Sequence, residues 1–476
     1  MKINRADKRP IWQQLLDQAI DHITNGDWKP GELLTPSRKL AQQLGVSRST
    51  VQIVYEELLT RGYTVTSRRG GTRVSDWIQF KDKQNEDAPP LVSPQLPELP
   101  LLVDLSEQWF RSKDNRESES VIDFSPYQPY LDTQFLKTWR KSCLNASTEL
   151  ETSSWSYGDA YGFEPLRRQI QRYLSLERGI HVQMNQILLT SGAQHSIDLI
   201  AQTLLTKGDT VTVEDPGYPV AWMTMKYRQM KIAPVPVDEY GLVVEKVPPE
   251  AKLIFVTPAH QCAVGVMLSE PRRQQLLHKA SQQHAWIVED DYDSEFRYRG
   301  DPMPTLYSQL PQHCLYLMSF SKLTAPGIRI SAVIGPAEAI AQLARVQAFT
   351  YRHLPIMEQA TLAHFIEHGY FMRHMRRVRN IYRRRHEIIQ KAIAASGLGN
   401  KFTMRGIETG LHVLLEADES FDEDTMTLRA LQGGVRVHQL HSYCLESKRK
   451  GWVLGFAKVE EELIEEGMYR LAETVL

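Results

Sequence analysis

The sequence predicts a multidomain protein in which a small helical domain with a two-stranded wing precedes a large α/β domain. Its 476 residues are more than one ordinary domain contains. Two short helical patterns joined by a glycine turn lie near the N-terminus, and from about residue 121 apolar strand-like runs alternate with helical patterns. A proline-rich stretch separates the two regions, which is typical of an extended tether. We therefore expect domains at residues 1–78 and 121–476, joined by a linker at residues 79–120.

Composition and charge narrow the class of protein. Hydrophobic residues make up 42% and charged residues 24%, as in globular proteins, and the net charge of −1 excludes a chain that binds nucleic acid through its overall charge. No apolar run approaches the roughly 18 residues of a membrane span. The four cysteines stand far apart without the paired spacing of zinc ligands, which favours reduced thiols. We expect a cytoplasmic protein with no membrane partner and no metal site.

The N-terminal region carries the basic charge of the chain. Residues 1–78 contain twelve lysines and arginines against eight aspartates and glutamates, a net charge of +4. An apolar stripe from Ile11 to Ile23 predicts a first helix. Ser37 is expected to cap a short helix through Leu44, and Ser47 the next one, from about Arg48 to Arg61. Two short helices around a glycine turn are typical of a helix-turn-helix, whose second helix would present four side chains to a major groove: Arg48, Ser49, Thr50 and Gln52.

Two strand patterns follow these helices, at residues 63–66 and 72–74, and the basic turn between them, which contains Arg69, predicts a wing. An oligomerisation domain with a solvated basic hairpin is the alternative. The segment resembles the GntR superfamily of winged-helix regulators at Pro30-Gly31, Pro36-Ser37-Arg38, Leu40-Ala41, Leu44-Gly45-Val46-Ser47-Arg48, Thr50-Val51, Tyr55, Leu58, Gly62-Tyr63 and Gly70-Gly71-Thr72. The resemblance implies that Arg38, Arg48, Thr50 and Gly71 lie at the DNA.

In the large domain, five apolar runs read as buried strands: residues 187–190, 210–213, 253–256, 286–288 and 315–318. Helical patterns such as residues 194–205 and 272–284 separate them. This alternation predicts a parallel α/β sheet with its functional site at the strand ends.

A lysine framed by hydroxyl groups marks the fifth strand end. Ser319 and Ser321 precede Lys322, and Arg329 lies seven residues further on. The lysine amine can form a Schiff base with the aldehyde of pyridoxal phosphate, while the hydroxyls and the guanidinium hold the phosphate. An upstream aspartate, Asp290 or Asp291, can pair with the pyridine nitrogen.

Loops after the other strands fit the same site. Ser191, Gly192 and Ala193 open a helix whose amides suit a phosphate, and the Tyr218 ring can stack on a cofactor. The domain resembles fold-type I pyridoxal phosphate enzymes of the aminotransferase class, in the variant found in MocR-type regulators, at Tyr157–Gly162, Leu166-Arg167, Pro216-Gly217-Tyr218, Thr257-Pro258, His260-Gln261, Glu289–Phe296 and Phe320-Ser321-Lys322.

That resemblance implies a role for each position. Lys322 bonds the cofactor, Asp290 pairs with the pyridine nitrogen, and Tyr292 with Gln261 lies at the ring oxygen. The phosphate is held by Ser191, Gly192, Ala193, Ser319, Ser321 and Arg329, and Tyr218 covers the ring. Asp290 is preferred to Asp291 because it leaves the Asp-x-Tyr spacing to Tyr292.

The sequence departs from the family pattern at three places. The motif His-Gln-x-Pro-Thr/Ser-Gly continues here as Cys262-Ala263-Val264-Gly265, and Leu323-Thr324-Ala325-Pro326 replaces Thr-Leu-x-Pro. Trp452 stands about where aminotransferases have the arginine that grips a substrate carboxylate. Candidate replacements are Arg405, Arg436 and Arg449. The missing arginine argues against efficient transamination and leaves pyridoxal phosphate itself open as the signal.

The sequence thus predicts a MocR-type transcriptional regulator that binds pyridoxal phosphate and DNA and responds to a small-molecule effector, an amine, an amino acid or the cofactor itself. The resemblance implies a homodimer that reads repeated or palindromic half-sites. A working aminotransferase with an accessory DNA-binding domain is the main alternative, and a regulator that no longer uses the cofactor is a third. A basic helix at residues 373–385 is expected to pair with carboxylates, with DNA contact as the alternative.

Overall fold

The computed structural model describes residues 1–76 without Ala6, Lys8, Arg68 and Arg69, residues 121–298, and residues 303–475. The chain divides into two compact units, Met1–Glu98 and Leu99–Leu476. The expected linker at residues 79–120 and the last two residues of the expected first domain lie outside the described residues.

The N-terminal unit is built from three helices and a hairpin. The helices are α1 (Ile11–Thr24), α2 (Ser37–Leu44) and α3 (Arg48–Thr60), and the antiparallel strands are β1 (Thr64–Ser67) and β2 (Gly71–Val74). Buried apolar side chains of α1, α3 and β2, together with Leu34 before α2, form one core: Leu15, Leu16, Ala19, Ile23, Leu34, Val54, Leu58 and Val74. The hydrophobic spacing along α1 and α3 therefore produces the packing that the sequence predicts.

The turn between α2 and α3 has the geometry that a helix-turn-helix needs. Gly45 ends α2 in the left-handed region, with φ of 65°, which costs glycine little. Ser47 is the N-cap of α3, and its Oγ accepts a hydrogen bond of 3.1 Å from the Thr50 amide. The expected cap at Ser37 is wrong, because Pro36 occupies the cap position and Ser37 is the first helical residue.

The large unit centres on an eight-stranded sheet. Its strands, in spatial order, are β4 (Ile187–Thr190), β11 (Ser331–Ile334), β10 (Cys314–Ser319), β9 (Trp286–Asp291), β8 (Ala251–Val256), β5 (Thr210–Asp215), β6 (Lys231–Asp238) and β7 (Gly241–Leu242). The five strands from β10 to β6 are parallel, but β11 runs antiparallel between β10 and β4, and β7 is antiparallel to β6. The five strands that the sequence predicts, β4, β5, β8, β9 and β10, all run in the same direction, and the antiparallel strands β11 and β7 were not among the predicted ones. The chain returns from β10 to β11, and from β6 to β7, without the long crossover that a parallel pair requires.

Helices cover both faces of this sheet. The helices of this part of the chain are α4 (Thr133–Glu149), α5 (Glu164–Glu177), α6 (Ala193–Leu204), α7 (Pro219–Tyr227), α8 (Glu270–Gln283), α9 (Leu306–Gln309), α10 (Ala337–Thr350), α11 (Ile356–Glu367) and α12 (Tyr370–Ala395), of which α5 to α10 contact the sheet directly. Alternate residues of β4 enter different cores: Leu189 packs in the cluster that includes α5, and Leu188 packs with α6 and α10. The strands are apolar on both sides for this reason.

The C-terminal part forms a smaller antiparallel sheet in the order β12 (Thr403–Arg405), β13 (His412–Ala417), β16 (Lys450–Gly455) and β15 (His438–Gln439), packed by α13 (Glu423–Gln432) and α14 (Glu461–Val475). A short parallel pair joins β3 (Ile122–Asp123) to β14 (Val435–Arg436). Among the described residues, no helix is both long enough and apolar enough to cross a bilayer.

Candidate cofactor site and DNA-binding surface

Lys322 lies just after β10 and is half-buried. Its Nζ donates a hydrogen bond of 2.8 Å to the Tyr127 carbonyl and lies 5.5 Å from the centroid of the Tyr127 ring. Burial lowers the pKa of Lys322 to about 8, although the nearby Asp293, Cys262 and Asp290 act in the opposite direction. An amine with this pKa is partly neutral near neutral pH, as a nucleophile must be.

Two adjacent carboxylates on β9 face different surroundings. Asp291 accepts a hydrogen bond of 2.6 Å from the Tyr316 hydroxyl and lies 3.3 Å from Arg178, on a side of the sheet away from the lysine. Asp290 is buried, its Oδ1 has no hydrogen-bond partner, and the charge of Lys322 acts on it. Burial and the neighbouring carboxylates raise the pKa of Asp290 to about 7. Both aspartates lie within β9, which extends three residues beyond the predicted strand.

Tyr292 leaves β9 toward a buried histidine. Its hydroxyl lies 3.1 Å from His260 Nδ1, and the same nitrogen lies 2.9 Å from Asp293 Oδ2. The His412 ring lies next to His260, with centroids 4.6 Å apart. Burial lowers the pKa of His260 to about 3, so the imidazole is neutral and fixes the Tyr292 hydroxyl by hydrogen bonding rather than by charge.

Gln261 has partners of its own. Its Nε2 donates to the Pro216 carbonyl at 2.7 Å and to Glu214 at 3.2 Å, and its Oε1 accepts from the Val264 amide at 2.9 Å. Glu214 also accepts a hydrogen bond of 2.6 Å from Thr257. Since both polar ends of Gln261 support the surrounding loops, its expected contact with a cofactor ring oxygen stays a prediction.

Arg329 and the start of α6 form a cradle of positive potential. The Arg329 Nη2 donates to the Ser191 carbonyl at 3.2 Å. A Cβ added at Gly192 would lie 2.8 Å from Arg329 Cζ, and the φ of 85° at Gly192 also favours glycine. Ala193 begins α6, so the free amides of the helix start lie beside this guanidinium. Such an arrangement suits a phosphate group.

The remaining predicted residues border this cradle. Ser319 ends β10, and its Oγ accepts a hydrogen bond of 3.3 Å from the Ser321 amide. The half-buried Tyr218 ring is close enough to Asp290 and Arg329 for both charges to act on its hydroxyl, and desolvation raises the pKa of Tyr218. The structure thus brings Tyr218, Asp290, Lys322 and Arg329 into one group, as the sequence predicts.

The position that lacks an arginine is an apolar core position. Trp452 is fully buried, its Nε1 donates to Thr427 at 2.8 Å, and its ring stacks on Phe402 with centroids 5.5 Å apart. The next residue, Val453, belongs to the apolar cluster that contains Tyr292 and Cys262. Strand alternation therefore directs position 453, rather than 452, to the candidate site.

The candidate replacements for that arginine have other neighbours. Arg405 and Arg449 both form ion pairs with Glu416, and Arg449 also donates to the Val237 carbonyl at 3.0 Å. Arg436 lies opposite Asp123 in the β14–β3 pair. Glu416 thus accounts for the charge of Arg405 and Arg449 at the rim of the small sheet.

Tyr127 is the residue near Lys322 that sequence reasoning missed. Besides its contacts with the lysine, its hydroxyl lies 3.2 Å from Cys262 Sγ, and its ring packs edge-on against Tyr292 and His412 at centroid distances of 5.9 and 5.1 Å. The only local signal is an aromatic residue between two prolines, Pro126 and Pro129, shortly after the first strand of the domain.

The N-terminal unit presents most of the predicted DNA-binding residues at its surface. Arg38, Ser47, Arg48, Ser49, Gln52 and Gly71 are exposed, and Thr50 is half-buried. The Ser47 Oγ lies 2.7 Å from the Ser49 hydroxyl and 2.8 Å from the Thr50 hydroxyl, which orients the first turn of α3. Arg69 lies outside the described residues.

The basic helix is α12, and four of its arginines bind carboxylates or carbonyls within the large unit. Arg377 pairs with Asp132 at 2.8 Å, Arg384 with Glu461 at 3.0 Å, and the buried Arg385 with Glu460 at 2.6 Å. Arg379 donates to the Glu295 carbonyl at 2.9 Å. The arrangement favours the structural interpretation of this helix over DNA contact.

Comparisons with known proteins agree with this geometry. Residues 119–471 match the family "Aminotransferase class I and II", and residues 13–74 match "Bacterial regulatory proteins, gntR family". The chain therefore belongs to the aminotransferase class I and II family and carries a gntR-family DNA-binding helix-turn-helix before it, the combination of a MocR-type transcriptional regulator.

Individual relatives share this two-part organisation. The HTH-type transcriptional regulator YdeL of Bacillus subtilis is 31% identical over 98% of this chain and 97% of its own length. The probable rhizopine catabolism regulatory protein MocR of Rhizobium meliloti is 29% identical over 100% of this chain and 95% of its own. Among solved structures, kynurenine aminotransferase of Pyrococcus horikoshii, in complex with PMP, covers 80% of this chain and 95% of its own, with 26% identity and a TM-score of 0.68.

Proposed function

We propose that this protein is a transcriptional regulator whose aminotransferase-type domain holds pyridoxal phosphate on Lys322 and passes the state of that site to the DNA-binding unit. The observation that carries the proposal is the unpartnered, buried Oδ1 of Asp290 in the same group as the Lys322 amine. A buried carboxylate without a partner is costly, and a protonated ring nitrogen is the partner that would relieve the cost.

The residues present fit the cofactor at both ends. At one end, Asp290 can accept a hydrogen bond from a pyridinium nitrogen, and at the other, Arg329 and the amides at Gly192 and Ala193 can hold a phosphate dianion. The glycine leaves the space against Arg329 that a side chain would fill. Bound pyridoxal phosphate would supply an electrophilic aldehyde and an electron sink.

Side chains of the protein itself set the protonation states and hydrogen bonds of this site. The Lys322 amine, with its pKa of about 8, is partly neutral near pH 7 and is held toward the Tyr127 carbonyl. Asp290 loses its proton readily once a cation lies beside it, because opposite charge lowers the pKa that burial has raised. Tyr292 is fixed by His260 and can direct its hydroxyl to a ring oxygen.

For DNA binding, the proposed recognition helix is α3. Arg48, Ser49, Thr50 and Gln52 lie on its first turns, and Arg38, Gly71 and Arg69 would contact the phosphate backbone or minor groove beside it. We further propose that the protein acts as a homodimer in the cytoplasm, and that two copies of α3 read repeated or palindromic half-sites. The effector is a small molecule bound at Lys322: pyridoxal phosphate itself, an amine or an amino acid.

A working aminotransferase is the second candidate, favoured by the complete set of Asp290, Lys322 and Arg329. The apolar surroundings of Val453, and the ion pairs of Arg405 and Arg449 with Glu416, argue against tight binding of a substrate carboxylate. These surroundings favour a sensor over an efficient catalyst.

DNA binding of the full chain with and without pyridoxal phosphate separates the two candidates. For a regulator, we expect the cofactor to change the operator affinity of the wild type, and Lys322→Ala to keep DNA binding but lose that change. Arg48→Ala should weaken DNA binding in both states and leave cofactor binding intact. If the cofactor leaves DNA affinity unchanged while amino donors are turned over, the enzyme interpretation is correct instead.

A further inference from the structure

Tyr127 holds an unusual backbone conformation next to Lys322. Its φ is 63°, in the left-handed region that bulky residues rarely occupy. Such a conformation is strained and persists only where the surrounding structure imposes it. The structure therefore holds the Tyr127 ring in place at the expense of local strain.

Anchors on both sides of Tyr127 impose this conformation. Before it, the Phe124 carbonyl accepts a hydrogen bond of 2.8 Å from the Gly455 amide, and a Cβ at Gly455 would lie 2.4 Å from the Ser125 carbonyl oxygen. After it, the Tyr130 amide donates to the Tyr382 hydroxyl at 2.8 Å. The segment is thus tied to β16 on one side and α12 on the other.

The ring held by these anchors covers the lysine amine. It lies 5.5 Å from Lys322 Nζ, and its hydroxyl reaches Cys262 Sγ at 3.2 Å. The Tyr292 and His412 rings close its other edges. Tyr127 therefore fills the space that a second molecule would need in order to reach the amine from this side.

We propose that Tyr127 is a specificity-determining residue that keeps α-amino acids away from Lys322. This inference rests on the proposed function and narrows its effector class. Both an α-carboxylate and an α-substituent would meet the Tyr127 ring and the apolar wall at Val453. The ligand that remains is pyridoxal phosphate itself. It would bind through Arg329 and Asp290 and does not need the space that the Tyr127 ring fills.

Two variants distinguish the effect of the Tyr127 ring from the effect of its strained backbone. Tyr127→Gly removes the ring, accepts the left-handed φ without strain, and keeps the carbonyl that Lys322 bonds. Tyr127→Phe keeps the ring and the strain and loses the contacts of the hydroxyl with Cys262 and Tyr443. A difference between these variants therefore reports on the ring.

The first test labels the lysine in the cofactor-free full chain. Acetic anhydride acylates a neutral amine, forming an amide and releasing acetate and a proton, and mass spectrometry of the Lys322 peptide follows the rate at pH 8. With the exposed Lys207 as internal reference, we expect labelling about tenfold faster in Tyr127→Gly and within about twofold of wild type in Tyr127→Phe. Equal rates in wild type and Tyr127→Gly would overturn the proposal.

The second test uses protein loaded with pyridoxal phosphate. We expect glycine and alanine to change the cofactor absorption of Tyr127→Gly at concentrations that leave wild type and Tyr127→Phe unchanged. A wild type that responds as the glycine variant does would overturn the role of Tyr127. A cofactor band absent from every variant would instead contradict the proposed function, and the labelling rates would still decide whether Tyr127 covers the lysine.

Discussion

Asp290 and Asp291 are neighbours on β9 that serve opposite faces of the sheet. Asp291 is held by Tyr316 and Arg178, whereas Asp290 points to the Lys322 side with one oxygen unpartnered. Because successive side chains on a strand alternate, only one of the two can face a cofactor. The structure supports the choice of Asp290 that the Asp-x-Tyr spacing suggested.

This relationship predicts different effects for two isosteric substitutions. Asp290→Asn removes the charge that a pyridinium nitrogen would meet, and we expect the affinity for pyridoxal phosphate to fall at least about tenfold, since a hydrogen bond to a charged group contributes about 1.5–3 kcal/mol. Asp291→Asn loses its pairing with Arg178 and should lower stability instead. Titration of the cofactor-free proteins measures both affinities. If the two variants bound the cofactor equally well, Asp290 would not be its partner.

The buried Asp290 also predicts a pH dependence in the cofactor-free protein. Its pKa in the folded state is about 7, above the ordinary 3.8, so the folded state prefers the protonated carboxyl. The stability that this preference contributes is complete below about pH 4 and is lost as the pH rises through about 7. We expect Asp290→Asn to unfold at a higher temperature than wild type at pH 8, with the difference vanishing near pH 4. Thermal unfolding across this range checks the result, and a difference that grew toward low pH would contradict the sign.

Position 452 gives a third prediction. Trp452 stands at about the position where aminotransferases have the arginine that binds a substrate carboxylate. In the structure, the Trp452 side chain packs between Phe402 and Thr427 in the core of the small sheet. Trp452→Arg should therefore not restore a carboxylate site, but should lower the free energy of unfolding by about 3–5 kcal/mol through loss of a large buried side chain and burial of a charge. Trp452→Phe, which keeps an aromatic ring, should cost much less. A stable Trp452→Arg protein that binds α-amino acids would show that position 452 faces the site.

Local sequence patterns predicted most of the fold because each has a direct physical cause. Each of these signals lies within a few residues of the chain: the periodicity of α1 and α3, the cap at Ser47, and the apolar runs of β4 and β10. Strand β11 was not among the predicted strands, and its four small or apolar residues would not have revealed its antiparallel direction, because a buried parallel strand has the same pattern.

The sequence predicted the site residues that lie at or near the ends of strands. It was less informative where a residue's role depends on the direction of its side chain or on a contact with a distant part of the chain. Lys322 is predictable from its place just after β10, Asp290 from its spacing to Tyr292 at the end of β9, and Arg329 from its spacing to Lys322. The direction of Gln261 depends on Pro216 and Glu214, which are distant in sequence. Tyr127 reaches Lys322 across 195 positions of the chain, and no local pattern encodes that contact.

The most direct test of the central claim is the near-ultraviolet and visible absorption spectrum of the purified full chain supplied with pyridoxal phosphate, before and after borohydride, beside Lys322→Ala. We expect the wild type to show a cofactor band that borohydride abolishes and to keep the cofactor covalently attached afterwards, and Lys322→Ala to lack both. A wild type without such a band, or a Lys322→Ala variant that shows the same band and the same attachment, would contradict the assignment of Lys322 as the residue that holds the cofactor.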